Sequence, residues 1–158
     1  VCERCRAGFA TLDLTKDVVP EEVLRRCLPH RDVFQLLDGI CHLDVEGNVA
    51  VGYKDWDENP WWGTGHIPGR PLMPGVLMLE AMAQLTSFYC GKIQTEDDRF
   101  IGFGGLDAVK FRSTVVPGDR LVLVASGVSI RTRRAIFDAQ GWVGERLCVE
   151  AQITGVRV

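Results

Sequence analysis

An almost wholly apolar segment, residues 76–85, constrains this chain more than any other feature. Strong helix formers continue to about Tyr89, and Pro74 and Gly75 precede the segment. Because apolar side chains occupy every face, we predict a buried central helix. Glu80 is the only charged side chain in the segment, and Gln84 follows it by four residues, so the two share one helix face.

Glu80 is a candidate general acid. Burial of an unpaired carboxylate costs so much free energy that such a group usually finds a partner or takes up a proton. The alternative is a structural role, in which Glu80 forms a salt bridge or hydrogen bond with a strand residue.

The loop before this helix carries His66 between residues that restrict the backbone and residues that relax it. Prolines fix φ, whereas glycines allow close approach and positive φ. The loop contains Pro68, Pro71, Pro74, Gly65, Gly69 and Gly75. Such a loop holds His66 in one place, and a neutral imidazole can act as a base opposite a protonated carboxylic acid. A lone histidine in a loop is more often inert, so the hypothesis depends on its pairing with Glu80.

Gly75 begins the predicted helix and supplies a third candidate. First-turn amides have no partner inside a helix and lie at its partially positive end, so they can polarise a thioester carbonyl as it becomes an enolate. An ordinary helix entry explains Gly75 equally well on its own.

Residues 66–84 resemble the signature of bacterial 3-hydroxyacyl-ACP dehydratases of the FabZ type. The pattern is His66-x-Pro-Gly-Arg-Pro-x-Met-Pro-Gly-Val-Leu-x-x-Glu-Ala-Met-Ala-Gln84. Residues 28–38, which include Leu-Pro-His-Arg, and residues 103–119, which include Lys-Phe-Arg and Val-Val-Pro-Gly-Asp, stand in the order found in that family. The resemblance covers about residues 24–158.

The resemblance implies an α+β hotdog fold, in which a curved antiparallel sheet wraps a long central helix and a homodimer is the minimal unit. It implies that His66 removes a C2 proton from a (3R)-3-hydroxyacyl thioester. Glu80 of the other subunit would protonate the departing hydroxyl group, giving a trans-2-enoyl thioester and water. The resemblance also leaves open a trimer of dimers as a further assembly.

The same resemblance assigns supporting roles. The Gly75 amide, with the Gly65 amide, would hold the thioester oxygen, the Leu72 carbonyl would orient His66, and Gln84 would support Glu80. Family members that also isomerise the double bond carry aspartate at the acid position, so we do not predict isomerisation. Three residues of the following strands could line an acyl tunnel, although they fit a plain core equally well: Phe103, Gly105 and Phe111.

Several positions depart from the family pattern. Trp61 and Trp62 replace two phenylalanines, one extra residue precedes His66, and Asp32 and Gly39 stand where tyrosine and arginine are usual. These changes affect substrate preference more than chemistry. His30 resembles a structural histidine of the family, and His42 lies in a strand-like alternation and is predicted to be a surface residue.

Composition limits the partners. The chain has 158 residues, 18 basic and 21 acidic, so its net charge of −3 does not favour nucleic acid. We expect one hotdog domain over residues 1–158, with residues 1–12 as a loose extension.

An acyl carrier protein bearing a phosphopantetheine thioester is acidic and needs a basic patch, although any one basic residue is more often a plain surface charge. The candidates are Arg70, Lys110, Arg112, Arg131, Arg133 and Arg134.

Cysteine usage and hydropathy favour the cytoplasm. No apolar run is long enough to span a membrane, no secretory signal is apparent, and six scattered cysteines suit a reducing compartment. Cys2 and Cys5 have the spacing of half a zinc site, but no second half follows, so we predict no metal and no cofactor.

Around the central helix we predict a short helix and seven strands. The helix covers residues 20–27, and the strands cover residues 34–45, 49–54, 99–105, 108–115, 121–130, 135–143 and 146–158. Two other functions remain open for such a fold. A hotdog thioesterase would attack the thioester carbonyl with water, and a non-catalytic hotdog protein would only bind the acyl chain.

Overall fold

The computed structural model describes residues 11–93 and 101–158, which form one antiparallel sheet around a long helix. The sheet order is β1-β2-β4-β5-β6-β3, and every neighbouring pair is antiparallel. The elements in chain order are α1 (Glu21–Cys27), a 3₁₀ turn (Asp32–Phe34), β1 (Gly39–Asp44), β2 (Val49–Asp55), α2 (Gly75–Ile93), β3 (Ile101–Phe111), β4 (Arg120–Ile130), β5 (Arg134–Val143) and β6 (Arg146–Arg157).

The predicted central helix is confirmed as α2, and it runs one turn further than Tyr89. It packs against strands β2 to β6, so the sheet wraps around it and one apolar core fills the space between them. The burial is not uniform, because Val76 in the first turn is 68% exposed. Glu80 therefore lies near the more open end of an otherwise buried helix.

Strand β3 is one continuous strand where the sequence suggested two, so that prediction was wrong. The pairing between β3 and β6 shifts register between Asp107 and Lys110, and Ala108 has a φ of 51°. A bulge of this kind bends a strand and interrupts its alternation without ending it. The sequence break was therefore a bulge rather than a turn.

Strand β1 begins at Gly39 rather than at residue 34, which corrects the predicted start. The backbone groups just before it bind a side chain instead of the sheet: the Phe34 carbonyl accepts a hydrogen bond from Gln84 Nε2, and the Leu36 amide donates to Gln84 Oε1. The segment before β1 is thereby tied to the central helix.

The two edges of the sheet differ. Beside β1, the Val18 amide donates to the Ile40 carbonyl at 2.8 Å and Val19 forms an isolated bridge to Ile40. Strand β3 has no such cover among the described residues, and it exposes large apolar side chains along its length. These side chains are Phe103, Leu106 and Phe111.

The start of the described chain lies against the outer face of the sheet. Leu12 and Leu14 pack on a small cluster there that includes Val124 and Trp142. Residues 1–10, with Cys2 and Cys5, lie outside the described residues. No helix in the described part of the chain is both long and apolar enough to cross a membrane.

Candidate active site

The His66 loop is anchored at both ends by buried side chains. Trp62 is 2% exposed and packs edge-on against Trp56, with ring centroids 5.3 Å apart. At the other end the Met73 amide donates to the Val115 carbonyl at 2.8 Å, and the Met73 side chain is buried. Between these anchors the His66 amide donates to the Trp62 carbonyl. An exposed loop is thus held on two fixed points.

The protonation pattern of the His66 ring follows from its hydrogen bond. Nδ1 lies 3.0 Å from the Leu72 carbonyl oxygen, which can only accept, so Nδ1 carries the proton in the neutral ring. Nε2 then holds the free lone pair and is the basic nitrogen. The ring is exposed, and Glu80 is not among its hydrogen-bond partners in the described residues.

Gln84 holds Glu80 with an amide whose orientation is determined by its surroundings. The Leu36 amide can only donate, so the Gln84 atom facing it at 3.0 Å is the oxygen. Gln84 Nε2 therefore points the other way and donates to the Phe34 carbonyl at 2.8 Å and to Glu80 Oε1 at 2.9 Å. Gln84 is 1% exposed, so its amide is shielded from water, and its partners are buried or partly buried.

His30 is a second partner of Glu80. Its Nε2 atom lies 3.3 Å from Glu80 Oε1, and the two side chains are 20% and 24% exposed. Burial lowers the pKa of His30, the Glu80 carboxylate opposes that shift, and the neighbouring Arg31 adds to it. The structural alternative for Glu80 expected a strand partner, whereas its partners lie on α2 and in the segment between α1 and β1.

Glu80, Gln84 and His30 line one cavity of about 230 Å³. The other walls come from α2 and from the facing ends of β3 and β6: Ala83, Thr86, Ser87, Ile101, Gly102, Phe103, Ile153, Thr154 and Gly155. His66 is not one of the lining residues. Within one subunit, the candidate acid therefore faces the cavity and the candidate base does not.

The tunnel candidates separate in the structure. Phe103 lines the Glu80 cavity, whereas Gly105 and Phe111 lie elsewhere on β3. Phe111 instead covers the start of α2, because a Cβ atom added at Gly75 would lie 2.7 Å from Phe111 Cε1. Of the loop glycines Gly65, Gly69 and Gly75, only Gly69 has a positive φ. Gly75 begins α2, as the oxyanion hypothesis requires.

The basic candidates are all exposed but lie in different places. Arg112 is bound to Glu150 on β6, and Lys110 lies opposite the same glutamate in the strand pairing. Arg131, Arg133 and Arg134 belong to the β4–β5 hairpin, and Arg134 pairs with Val156, next to the Gly155 wall of the cavity. Arg70 lies in the His66 loop. The structure does not gather all six into one patch.

The described residues contain no cluster of three or more His, Cys, Asp or Glu side chains placed to hold a metal ion. The buried cysteines are poor nucleophiles, because burial raises the pKa of Cys41 and of Cys90 to about 11. The titratable side chains that the candidate site presents are the Glu80 carboxyl group and the His30 and His66 imidazoles.

Solved structures with the same architecture are hotdog proteins. The dehydratase heterocomplex ApeI:P from Xenorhabdus doucetiae superimposes with a TM-score of 0.71 at 17% identity, covering 85% of this chain and 90% of that one. A mutant thioesterase from Pseudomonas aeruginosa gives a TM-score of 0.65 at 12% identity, covering 92% and 100%. At such identities the likeness establishes the fold, which is the predicted α+β hotdog.

The sequence then defines the family. A family model described as a FabA-like domain matches residues 28–152, and this chain belongs to that family. The 3-hydroxyacyl-[acyl-carrier-protein] dehydratase FabZ of Moorella thermoacetica is 39% identical over 126 residues, which is 80% of this chain and 87% of the relative. The protein of the same name from Clostridium botulinum is 37% identical, covering 82% and 90%. The predicted resemblance is confirmed.

Proposed function

We propose that this protein dehydrates (3R)-3-hydroxyacyl-ACP to trans-2-enoyl-ACP in fatty-acid biosynthesis. The observation that carries the proposal is the Glu80 cavity, in which a carboxyl group held by Gln84 faces a space beside the central helix. The names of the relatives at 37% and 39% identity support this activity. The cytoplasmic location predicted from the sequence is part of the same proposal.

The two catalytic roles follow from proton chemistry. His66 Nε2, the nitrogen left basic by the Leu72 hydrogen bond, takes the C2 proton of the 3-hydroxyacyl thioester. Glu80 gives its proton to the C3 hydroxyl group, the C–O bond breaks, and water leaves with the electron pair of that bond. The start of α2 at Gly75 stabilises the negative charge that develops on the thioester oxygen.

The active site combines His66 of one subunit with Glu80 of another. Strand β3 leaves one edge open among the described strands and exposes Phe103, Leu106 and Phe111, with exposed fractions of 47%, 38% and 52%. An edge of this length with apolar side chains favours pairing with a second copy. Phe103 also lines the Glu80 cavity, so a partner paired along β3 would lie beside that cavity.

The carrier docks at the β4–β5 hairpin. Arg131, Arg133 and Arg134 are exposed there, and the adjacent end of β6 forms the Thr154 and Gly155 wall of the cavity. An acidic carrier held at this hairpin would have its thioester arm close to the cavity mouth.

A single assay separates the three functions that the fold allows. Mixing the protein with a short trans-2-enoyl thioester and following enoyl absorbance together with free thiol should show loss of the enoyl signal without thiol release. Thiol release without hydration would select a thioesterase. Neither signal would favour an acyl-binding protein without catalytic activity.

The shared site is tested by mixing two inactive variants, His66→Ala and Glu80→Gln. Heterodimers should regain part of the parent activity, because one of their two sites contains both wild-type residues. A Glu80→Gln protein mixed with itself is the control. If subunit exchange is demonstrated by mass spectrometry and no activity returns, the two groups do not come from different subunits.

The docking surface is tested by reversing charge at Arg133 and Arg134 to glutamate. The KM for the ACP thioester should rise by about tenfold, the effect of about 1.4 kcal/mol of lost binding. The KM for an N-acetylcysteamine thioester, which has no carrier, should not change. Lys16→Glu, an exposed reversal outside the hairpin, is the matched control. Equal KM changes on both substrates would exclude the hairpin as the carrier site.

A further inference from the structure

His30 lies in contact with Glu80, although the sequence pattern assigned it only a structural role. We propose that His30 is a positioning residue for the acid, and that with Gln84 it holds Glu80 Oε1 so that Oε2 carries the proton given to the hydroxyl group. The inference rests on the proposed dehydratase function and concerns the same cavity.

The first step is the direction of the hydrogen bond from Gln84. Its amide orientation is determined by the Leu36 amide, so Gln84 donates to Glu80 Oε1 at 2.9 Å. In a carboxylic acid the carbonyl oxygen is the better acceptor, and the hydroxyl oxygen is the donor. A hydrogen bond accepted at Oε1 therefore makes Oε1 the carbonyl oxygen and places the acidic proton on Oε2.

The second step is the position of the imidazole. His30 Nε2 lies 3.3 Å from the same Oε1 atom. Two side-chain nitrogen atoms, His30 Nε2 and Gln84 Nε2, therefore face that oxygen. With its proton on Nε2, a neutral His30 places an N–H group 3.3 Å from Oε1, and its positive end reinforces the arrangement. Oε2 has no hydrogen-bond partner among residues 11–93 and 101–158, which leaves it for the substrate.

The third step is what holds His30 itself. The guanidinium group of Arg31 donates to the carbonyl oxygens of Arg25, Leu28 and His30 at 2.9, 2.7 and 2.7 Å. These hydrogen bonds join the end of α1 to the His30 backbone. The imidazole is thereby presented to α2 from a segment that is tied down, as a positioning role requires.

The charge state of His30 matters for the acid. The charged groups acting on it are Glu80 from α2 and Arg31 beside it, and its burial favours the neutral ring. A protonated His30 would pair with the Glu80 carboxylate and stabilise the form that cannot donate a proton. Dehydration should therefore weaken as pH falls far enough to protonate His30.

The decisive experiment compares His30→Leu, which removes the nitrogen, with His30→Gln, whose Nε2 can still donate to Oε1 but does not titrate. His30→Leu should lower kcat about 10- to 100-fold, the scale of a misplaced catalytic group, with KM within about twofold. His30→Gln should recover at least half of that loss on a logarithmic scale, and the acid limb of its kcat profile should become shallower. His42→Gln, a histidine on β1 outside the site, should keep the parent kcat and profile.

Two outcomes overturn the inference. One is a kcat of His30→Leu close to that of the parent. The other is an equal loss in His30→Leu and His30→Gln with unchanged pH profiles, which would indicate a purely structural role. A thermal melt of each variant identifies any that fails to fold. If His30→Leu does not fold, His30→Gln decides alone. A parent kcat with a shallower acid limb of the kcat profile supports the inference, and an unchanged acid limb overturns it.

A measurement without turnover tests the contact separately. Histidine proton resonances, assigned through His42→Gln and His66→Ala, should show that Glu80→Gln lowers the pKa of His30, because the carboxylate that raises it is gone. An unmoved His30 titration would overturn the inference whatever the activity. A parent protein with no hydration activity would instead overturn the proposed function, and the positioning role with it, while the titration still reports the contact.

Discussion

The two candidate catalytic groups are held in opposite ways. Glu80 lies in a network of side-chain contacts. Gln84 donates a hydrogen bond to Glu80, and the backbone of Phe34 and Leu36 fixes the orientation of the Gln84 amide. His30 lies beside the same carboxyl oxygen. His66 is exposed and has one side-chain hydrogen bond in the described residues, to the Leu72 carbonyl. Within the described residues the acid thus has partners on two other side chains, whereas the base has a single backbone partner.

The largest expected effect is the loss of turnover when either His66 or Glu80 is replaced. His66→Ala and Glu80→Gln should each lower kcat about 10²- to 10⁴-fold, the usual contribution of a general acid or base. Steady-state hydration of an enoyl thioester measures it, and circular dichroism checks the fold. His42→Ala and Glu22→Gln are the matched controls outside the site. Near-parent activity in either site variant would remove that residue from the mechanism.

The next largest effect concerns the hydrogen bonds of Gln84, which hold Glu80. Gln84→Leu leaves the Phe34 carbonyl, the Leu36 amide and Glu80 without their partner, and buried groups left unsatisfied cost about 1–3 kcal/mol each. We expect the free energy of unfolding to fall by about 3 kcal/mol in a urea titration, with kcat falling as well.

Gln152→Leu is the matched control for this variant. Gln152 is half-buried on β6, and its amide donates to the Asp138 carboxylate at 3.0 Å. Its removal should cost under about 1 kcal/mol, because water can replace the bond at a partly exposed site. Equal losses in the two glutamine variants would show that the Gln84 network adds no special stability.

Sequence patterns predicted the members of this site better than their arrangement. A charged residue in an apolar helix indicates a site, so Glu80, Gln84 and the helix itself could be found without a structure. The partners of Gln84 are backbone groups 50 and 48 residues away at Phe34 and Leu36. Every residue has such groups, so no side-chain pattern marks them. The contact between His30 and Glu80 joins two side chains far apart in the sequence, so no local spacing marks it either.

The sheet shows a similar limit. Strands β2, β4, β5 and β6 were predicted to within a few residues, because apolar runs bounded by turn signals mark them. The bulge at Ala108 was read as a break between two strands, since a bulge and a loop both interrupt the alternation of side chains. The extent of β3 depends on its pairing with β6, which is a contact between distant parts of the chain.

A smaller effect is expected at Gly75, where the His66 loop ends and α2 begins. Gly75→Ala would place a Cβ atom 2.7 Å from the Phe111 ring, which must move aside. Because Phe111 is half exposed, the loss should be near the lower end for overpacking, about 1 kcal/mol in thermal or urea unfolding.

Two further variants sharpen the Gly75 prediction. Gly91→Ala, in the same helix, adds a Cβ atom with nothing within 4 Å and should raise stability by up to about 1 kcal/mol. In a double-mutant cycle, Phe111→Ala should remove most of the penalty that Gly75→Ala causes in the parent, so the two effects should be non-additive. Additive effects would mean that the ring does not contact the start of α2.

The smallest effect comes from His30 and concerns stability rather than turnover. Its pKa in the folded protein is below the ordinary value of about 6.5, so between these two values the unfolded chain binds more protons than the folded one. Stability contributed by the neutral ring is present above the unfolded pKa and is lost as pH falls through it towards the folded value.

Urea titrations at pH 7.5 and at pH 5.5 should therefore show a larger loss of unfolding free energy for the parent than for His30→Gln, whose side chain does not titrate. A parent and a His30→Gln protein with the same pH dependence would mean that His30 is as readily protonated in the fold as outside it, and Glu80 would then lack the neutral partner that distinguishes its surroundings from those of His66.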